Sequence, residues 1–157
     1  MLQPLFQWMG ETWLAKLILS AAWYSPIIQG IHLLALAVFA GSIIIVDLRV
    51  LGAGVSSRPA RDIEREALPW LKGAFLVLFL SGLPQVFSLA MKEYYSPYFW
   101  NKMTGILIGF VFMFTLRRRV VNAGDDANPI LAKAVALFSM ALWTGVAINA
   151  RLIGLLG

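Results

Sequence analysis

Four long apolar segments divide the chain. They run over about 26–46, 73–91, 103–116 and 130–153. A helix that spans a bilayer needs about 20 mostly apolar residues, because its backbone groups must bond to one another in lipid. The third segment needs a residue or two on either side to span. The pattern predicts an all-α integral membrane protein with four transmembrane helices.

A different pattern precedes the first span, over about 3–22. Polar Gln7, Glu11 and Lys16 interrupt a stretch whose other side carries tryptophan, leucine and isoleucine. This mixture is typical of an interfacial amphipathic helix that lies along the membrane surface. No basic segment precedes an apolar core, so we do not expect a normal cleavable signal peptide.

The connections between the spans are short, which favours antiparallel neighbours. We therefore expect an up-down four-helix bundle, forming a single transmembrane domain over 1–157. Small residues four positions apart predict where helices approach closely. Three such pairs occur, Ala37 with Gly41, Gly105 with Gly109, and Ala141 with Gly145.

Composition supports the membrane interpretation. The 157 residues are 60% hydrophobic and 13% charged, against about 45–50% and about 25% in soluble domains. Mean hydropathy is +0.77. This composition argues against a water-soluble enzyme and against disorder. The absence of cysteine excludes disulfides, iron–sulfur clusters and thiolate metal sites.

The net charge of +5 would suggest nucleic acid in a soluble protein, but here the basic residues mostly follow membrane topology. We therefore expect the lipid bilayer as a partner and no nucleic acid. Nine basic residues fall on one side of the predicted spans: Arg49, Arg58, Arg61, Arg65, Lys72, Arg117, Arg118, Arg119 and Lys133. Four fall on the other: Lys16, Lys92, Lys102 and Arg151. The bias predicts that both termini are periplasmic in a multi-pass protein of the bacterial inner membrane.

His32 is the single histidine, about two turns into the first span. An ionisable residue inside a membrane is a candidate functional residue by default. Gln29 precedes it by three positions and shares its helix face. A neutral imidazole can ligate haem iron, relay protons or donate a hydrogen bond. The plainer alternative is a core histidine bonded to a neighbouring helix.

Three further residues fall near the depth of His32. Asn149 and Arg151 lie near the end of the fourth span, and Lys102 lies at the start of the third. An imidazole beside two cations suits an anionic ligand, and haem b fits, with iron on His32 and propionates near Arg151 and Lys102. A quinone or an anionic lipid headgroup also fits. The alternative for both cations is snorkelling to the interface.

Charged residues also mark the other ends of the spans. Asp47 and Arg49 point to different sides of a helix, so we expect each to pair with another helix end, Lys72 or Arg117 being candidates. A proton-uptake role for Asp47 and Arg49 is the alternative. The run 61–66 is interpreted as a solvated face, and the run 117–119 as a basic anchor at the membrane surface.

The stretch 23–52 resembles a family of small bacterial four-helix membrane proteins of unassigned function. The matching pattern is W-x-x-P, a histidine, G-S and D-L-R-x-L-G, filled here by Trp23, Pro26, His32, Leu34, Gly41, Ser42, Asp47, Leu48, Arg49, Leu51 and Gly52. The resemblance extends to LPW at 68–70, SGL at 81–83, Asn101, Lys102, Trp143 and Arg151. The fold is similar to copper-resistance-D-like proteins and to b-type cytochrome bundles. Those bundles usually bind haem through histidine pairs, whereas this chain has one histidine.

Three functions remain open. The first is a haem-b-binding, cytochrome-like protein with His32 as axial ligand, in which the sixth ligand is a methionine, water, nothing, or His32 of a second subunit. The second is a structural or accessory membrane protein that homo-oligomerises or joins a larger complex. The third is a small transporter or channel. A quinone-binding or lipid-modifying role is the remaining alternative. Enzymes of that kind usually need more acid–base groups than this chain offers, so the pattern favours a protein that is not an enzyme and leaves the question open.

Overall fold

The computed structural model describes residues 2–53, 58–124 and 127–156, and these residues are helical almost throughout. The helices, in chain order, are α1 (Gln3–Glu11), α2 (Trp13–Ser20), α3 (Tyr24–Leu51), α4 (Ala60–Ser88), α5 (Ala90–Tyr95), α6 (Pro97–Phe112), a π-helical turn (Met113–Arg117), α7 (Arg118–Ala123) and α8 (Pro129–Leu156). The all-α prediction is confirmed.

Four helical paths are long and apolar enough to cross a membrane. They are Tyr24–Leu51, Ala60–Ser88, Pro97–Ala123 and Pro129–Leu156, the third being α6, the π-helical turn and α7 in succession. Many of their large apolar side chains point outward, with Leu34 71% and Leu107 66% exposed. Soluble monomers rarely expose so much contiguous apolar surface. The chain is a multi-pass membrane protein, as predicted.

The helices extend beyond the apolar segments that predicted them. The second begins at Ala60 rather than near 73, because hydropathy marks only the part suited to lipid while the charged turn before it is also helical. It ends at Ser88, before the predicted 91, because Leu89 leaves helical geometry. The third extends on both sides of 103–116, which gives it the length to span.

The single N-terminal helix predicted over 3–22 is two helices, α1 and α2. Thr12 separates them with an extended backbone, φ −64° and ψ 154°. Its hydroxyl accepts a hydrogen bond from the backbone N–H of Ala15 at 3.4 Å, which caps the start of α2. The change of direction lets α1 pack on α5 while α2 packs on α4.

The four long helices run up and down, as predicted. α3 packs closely on α4 and on α8, and α6 packs on α8. At one end α1 and α5 cover the bundle, and we call this the cap end. At the other lies the run Arg117–Arg119, and we call this the arginine end. At the cap end, His32 of α3 contacts Ser81 of α4. At the arginine end, Asp47 of α3 and Glu64 of α4 both bind Arg117. The two helices are therefore antiparallel.

Apolar clusters fill the bundle at successive depths. At the cap end Phe6 packs with Ala90, Phe99 and Ile153. In the middle, Phe39, Ile43, Ala74 and Met113 pack against Leu71, Leu78, Phe110 and Trp143. Near the arginine end, Phe112, Val120 and Val135 form a third cluster. The middle cluster separates the polar residues at the two ends.

Only one of the three predicted small-residue pairs makes a close helix contact. A Cβ on Gly105 would lie 2.8 Å from Val146 on α8, and one on Gly109 would lie 3.0 Å from Trp143. Nothing lies within 4 Å of such an atom on Gly41 or Gly145. The spacing is the same in all three pairs, but only the α6 pair faces a neighbouring helix of its own chain.

Candidate functional site

His32 lies between α3 and α4, half-buried, at the cap end of the bundle. Its Nδ1 is 2.9 Å from the hydroxyl of Ser81. Gly82 faces the ring, since a Cβ there would lie 3.4 Å from the imidazole Cε1, an ordinary van der Waals distance. The pair Ser81–Gly82 therefore forms the surface on which the imidazole rests.

The hydrogen bonds of Ser81 indicate which imidazole nitrogen carries the proton. The hydroxyl donates to the carbonyl of Val77 at 2.6 Å, one turn earlier in α4. Its proton is thus engaged, so the oxygen accepts from His32 Nδ1–H. The Leu78 carbonyl also lies within hydrogen-bonding reach of the imidazole. With Nδ1 protonated, Nε2 is the nitrogen that carries the lone pair. This is the form of imidazole that can bind iron or accept a proton.

Lys102 is the nearest cation to this imidazole. Its ammonium acts electrostatically on His32 and on Glu93, and it lies 5.5 Å from the centre of the Phe99 ring. Glu93 in α5 is 5% exposed, and its Oε2 has no hydrogen-bond partner. Burial raises the pKa of Glu93, and the Lys102 charge opposes this with a smaller effect. Part of the Lys102 charge is therefore already balanced by Glu93.

The other predicted site residues are spread around this end. Gln29 is exposed, one turn before His32 on α3. Asn149 uses its amide nitrogen to donate to the carbonyl of Gly145 at 2.9 Å, within α8. Arg151 is exposed and forms no ion pair in the described part of the chain. The structure brings Lys102 into the electrostatic range of His32, and no contact joins Gln29, Asn149 or Arg151 to the imidazole.

One surface cavity, of about 530 Å³, is lined by Leu2, Tyr94, Tyr95 and Trp100 at the cap end. Another, of about 350 Å³, lies between α3 and α4 and is lined by Gly41, Ser42, Ile45, Ile63, Glu66, Ala67 and Trp70. His32 lines neither of these cavities.

A second polar group is buried at the arginine end. Arg117, 3% exposed, donates from Nε to Asp47 Oδ1 at 3.0 Å and from Nη1 to Glu64 Oε1 at 2.8 Å. Its Nη2 lies 2.9 Å from the same Asp47 oxygen, at an angle that does not complete a hydrogen bond. The expected pairing of Asp47 with Arg117 is confirmed. The interpretation of Arg117 as a surface anchor is wrong, because the side chain lies inside the bundle.

No sequence pattern indicated Ser81 as the partner of His32, or Glu64 and Ser139 as further members of the group around Arg117 and Asp47. Glu64 stands in a run interpreted as solvated, and only its place on α4 turns it toward Arg117. Ser139 of α8 is fully buried beside Asp47. Ser81 stood in the SGL motif, which carried no hint of a histidine contact. Among the described residues there is no group of three or more histidine, aspartate or glutamate side chains that could hold a metal ion.

Comparison with known proteins adds a family but no activity. No curated protein and no solved structure matches this chain. One family model matches residues 5–156, nearly the whole length. The predicted resemblance to a family of unassigned function is thus borne out at that level. The chain belongs to DUF6644, a family of unknown function.

Proposed function

We propose that this protein binds haem b through His32 and takes part in electron transfer in the bacterial inner membrane. The observation that carries the proposal is the hydrogen-bond chain from His32 through Ser81 to the Val77 carbonyl. Histidines that ligate metals almost always donate their other ring N–H in this way, which fixes the ring and leaves the second nitrogen free.

The donor set fits a haem in part. His32 Nε2 supplies an axial ligand of the usual kind, and Arg151 is an exposed cation that could pair with a propionate. Lys102 is a weaker partner for a propionate, because Glu93 already balances part of its charge. Gln29, exposed on the His32 face of α3, could donate to the rim of the ligand. When bound, the haem would supply one-electron redox chemistry.

The position of His32 favours a site shared between two copies of the chain. The imidazole is half-buried, and it lines neither the cap-end cavity nor the cavity between α3 and α4. A porphyrin on Nε2 would lie at the surface of one bundle and would need a second apolar wall. A second copy would supply that wall, and its own His32 would supply the sixth ligand. This arrangement reconciles one histidine per chain with the histidine pairs of b-type cytochrome bundles.

The proposal includes an orientation in the membrane. The nine-to-four bias of basic residues places the arginine end in the cytoplasm. Both termini and the cap end would then be periplasmic. His32 would lie in the periplasmic half of the bilayer, within reach of a periplasmic or membrane-borne redox partner, including a quinone.

The experiment is a visible spectrum of the detergent-purified protein, oxidised and reduced, made in cells with ample haem. We expect a Soret band and sharp reduced α and β bands, with one haem per two chains. His32→Ala should lose them, and Gln29→Ala is the matched control that should keep the iron ligation. Ser81→Ala should weaken haem binding about 10–100-fold, as expected for an orienting partner. A colourless wild-type protein would refute the proposal.

A structural or accessory role is the second candidate, and one observation favours it. Ala37 and Gly41 are exposed on α3, and nothing packs against Gly41. Small residues that are unused inside the bundle can receive a helix from another copy or from a larger complex. A colourless protein whose oligomer is lost in Gly41→Leu would support this role. The third candidate, a transporter or channel, needs a polar path past the apolar middle cluster.

A further inference from the structure

The buried cluster at the arginine end has an unbalanced charge. Asp47 and Glu64 each bring one negative charge when ionised, and Arg117 brings one positive charge. Arg118, which acts electrostatically on Glu64, is exposed. Asp47 is 1% exposed and Arg117 2%. An unbalanced charge is unfavourable in a place so far from water, so one further positive charge would be favoured there.

The unpaired atoms show where that charge would reside. Arg117 engages Asp47 Oδ1, while Oδ2 is buried and has no hydrogen-bond partner among the residues that the structure describes. The hydroxyl of Ser139, which is 0% exposed, lies beside the Asp47 carboxylate and also lacks a bond of good geometry. Buried polar groups without partners are rare in proteins. Two of them side by side indicate a missing hydrogen atom or a missing small ligand.

We propose that the Asp47–Glu64–Arg117 cluster binds one exchangeable proton, carried by Asp47 on Oδ2 and donated to Ser139. The bound proton makes the cluster neutral: two carboxyl groups, one of them protonated, face one guanidinium. Ser139 would accept from Asp47 and turn its own hydrogen toward a backbone carbonyl of α8. Glu64, whose side chain is 22% exposed, connects the site to water at the arginine end. The site is independent of haem binding.

Asp47 rather than Glu64 is the proton carrier because of its burial. The cost of an ionised carboxylate grows with its removal from water. Asp47 is 1% exposed and Glu64 is 22% exposed at the side chain. Arg117 donates one hydrogen bond to each acid, and its Nη2 lies near Asp47 without completing a second one. The remaining difference is solvation, which favours the neutral form of the deeper group.

Infrared spectroscopy of the whole protein at neutral pH tests the proposal. A protonated carboxyl group has a C=O stretch that is absent from a carboxylate and shifts in deuterium oxide. We expect this band in the wild type and in Glu93→Gln, which removes another buried carboxyl group. The band should be lost when Asp47→Asn is added to Glu93→Gln, and it should be retained in Glu64→Gln. Ser139→Ala should move the band to higher frequency, because the hydrogen bond is lost. Helical circular dichroism of each variant reports whether it has folded.

Each other outcome overturns the proposal. Absence of the band from the wild type means that both acids are ionised. Loss in Glu64→Gln alone means that Glu64 holds the proton. Should the band disappear when sodium replaces choline in the buffer, the site binds a metal cation instead. If Asp47→Asn fails to fold, the frequency shift in Ser139→Ala decides, since an unshifted band places the proton elsewhere.

Discussion

Arg117 is the residue whose removal should destabilise this protein most sharply. Arg117→Met keeps the length of the side chain and removes its charge and its donors. The substitution leaves Asp47 and Glu64 facing one another without a cation. Asp47 is 1% exposed and cannot recover its lost partner from water. Glu64, at 22%, recovers part of it.

The burial of this pair sets the magnitude. Removing one partner of a buried ion pair costs about 3–5 kcal/mol, whereas an exposed pair contributes about 0–1 kcal/mol. The Arg117–Glu64 ion pair lies between these two kinds, and Arg117 also donates a buried hydrogen bond to Asp47, whose carboxyl group keeps its proton. We expect a loss of about 3–5 kcal/mol in the free energy of unfolding at neutral pH, because the variant leaves the Glu64 charge without its cation and the Asp47 oxygen without its donor. The loss should shrink in acid, where Glu64 also takes up a proton.

The assay is equilibrium unfolding in mixed micelles of a mild detergent and dodecyl sulfate. Arg119→Met is the matched control, because Arg119 belongs to the same basic run and is exposed. Combining Arg117→Met with Asp47→Asn and Glu64→Gln should restore most of the lost stability, since no unpaired charge remains. A loss in Arg117→Met no larger than in Arg119→Met would refute the reasoning.

Three further predictions concern packing, pH and topology. Gly105→Ala should lower the free energy of unfolding by about 1–3 kcal/mol, because its Cβ would lie 2.8 Å from a side chain on α8. Gly73→Ala is the control and should not destabilise the protein, because the space around Gly73 is open. Equal unfolding midpoints for the two variants would contradict this prediction. Burial raises the pKa of Glu93, so the Glu93 carboxyl group holds its proton more tightly in the folded protein than in the unfolded chain. The stability of the cap end therefore falls as the pH rises through the pKa of the folded state. Hydrogen exchange of α1 should lose this pH dependence in Glu93→Gln, and an unchanged slope would count against it. In this cysteine-free chain, Tyr95→Cys should react with an impermeant thiol reagent added from the periplasmic side, and Arg61→Cys should not. The opposite labelling result would show that the protein has the opposite orientation in the membrane.

The four spans were predictable because lipid imposes one requirement on every residue of a spanning segment. An apolar run of sufficient length has few structures open to it, so hydropathy alone located all four helices. Their ends were harder to predict. α4 continues through the charged run to Ala60 because helical backbone bonding does not stop where lipid does. Hydrophobic composition predicts which part of a helix crosses the bilayer, and it says little about how far the helix extends into water.

The candidate sites were predictable only where residue type was informative by itself. His32 stood out because it is a lone histidine in a span. Glu64 did not stand out, because it belongs to a charged run whose neighbouring members Arg61 and Arg65 are exposed. Of these three residues only Glu64 contacts Arg117. Which member of a charged run faces inward depends on how α3 and α4 cross. That angle is set by packing over the whole length of both helices, which no local pattern records.

The π-helical turn Met113–Arg117 has a consequence for the rotational phase of the third span. An α-helix advances about 100° per residue, so Arg117, eight positions after Gly109, would point about 80° away from it in an unbroken helix. A π turn accommodates about one extra residue, which subtracts about 100° and returns Arg117 to within about 20° of Gly109. The inward side of this helix is thus continuous from the α8 contact to the ion cluster. Deleting one residue of the turn would leave a plain α-helix with Arg117 still on the inward side, whereas straightening the turn without a deletion would swing Arg117 about 80° toward lipid. The π turn is thus what absorbs the one residue by which this helix exceeds a regular repeat.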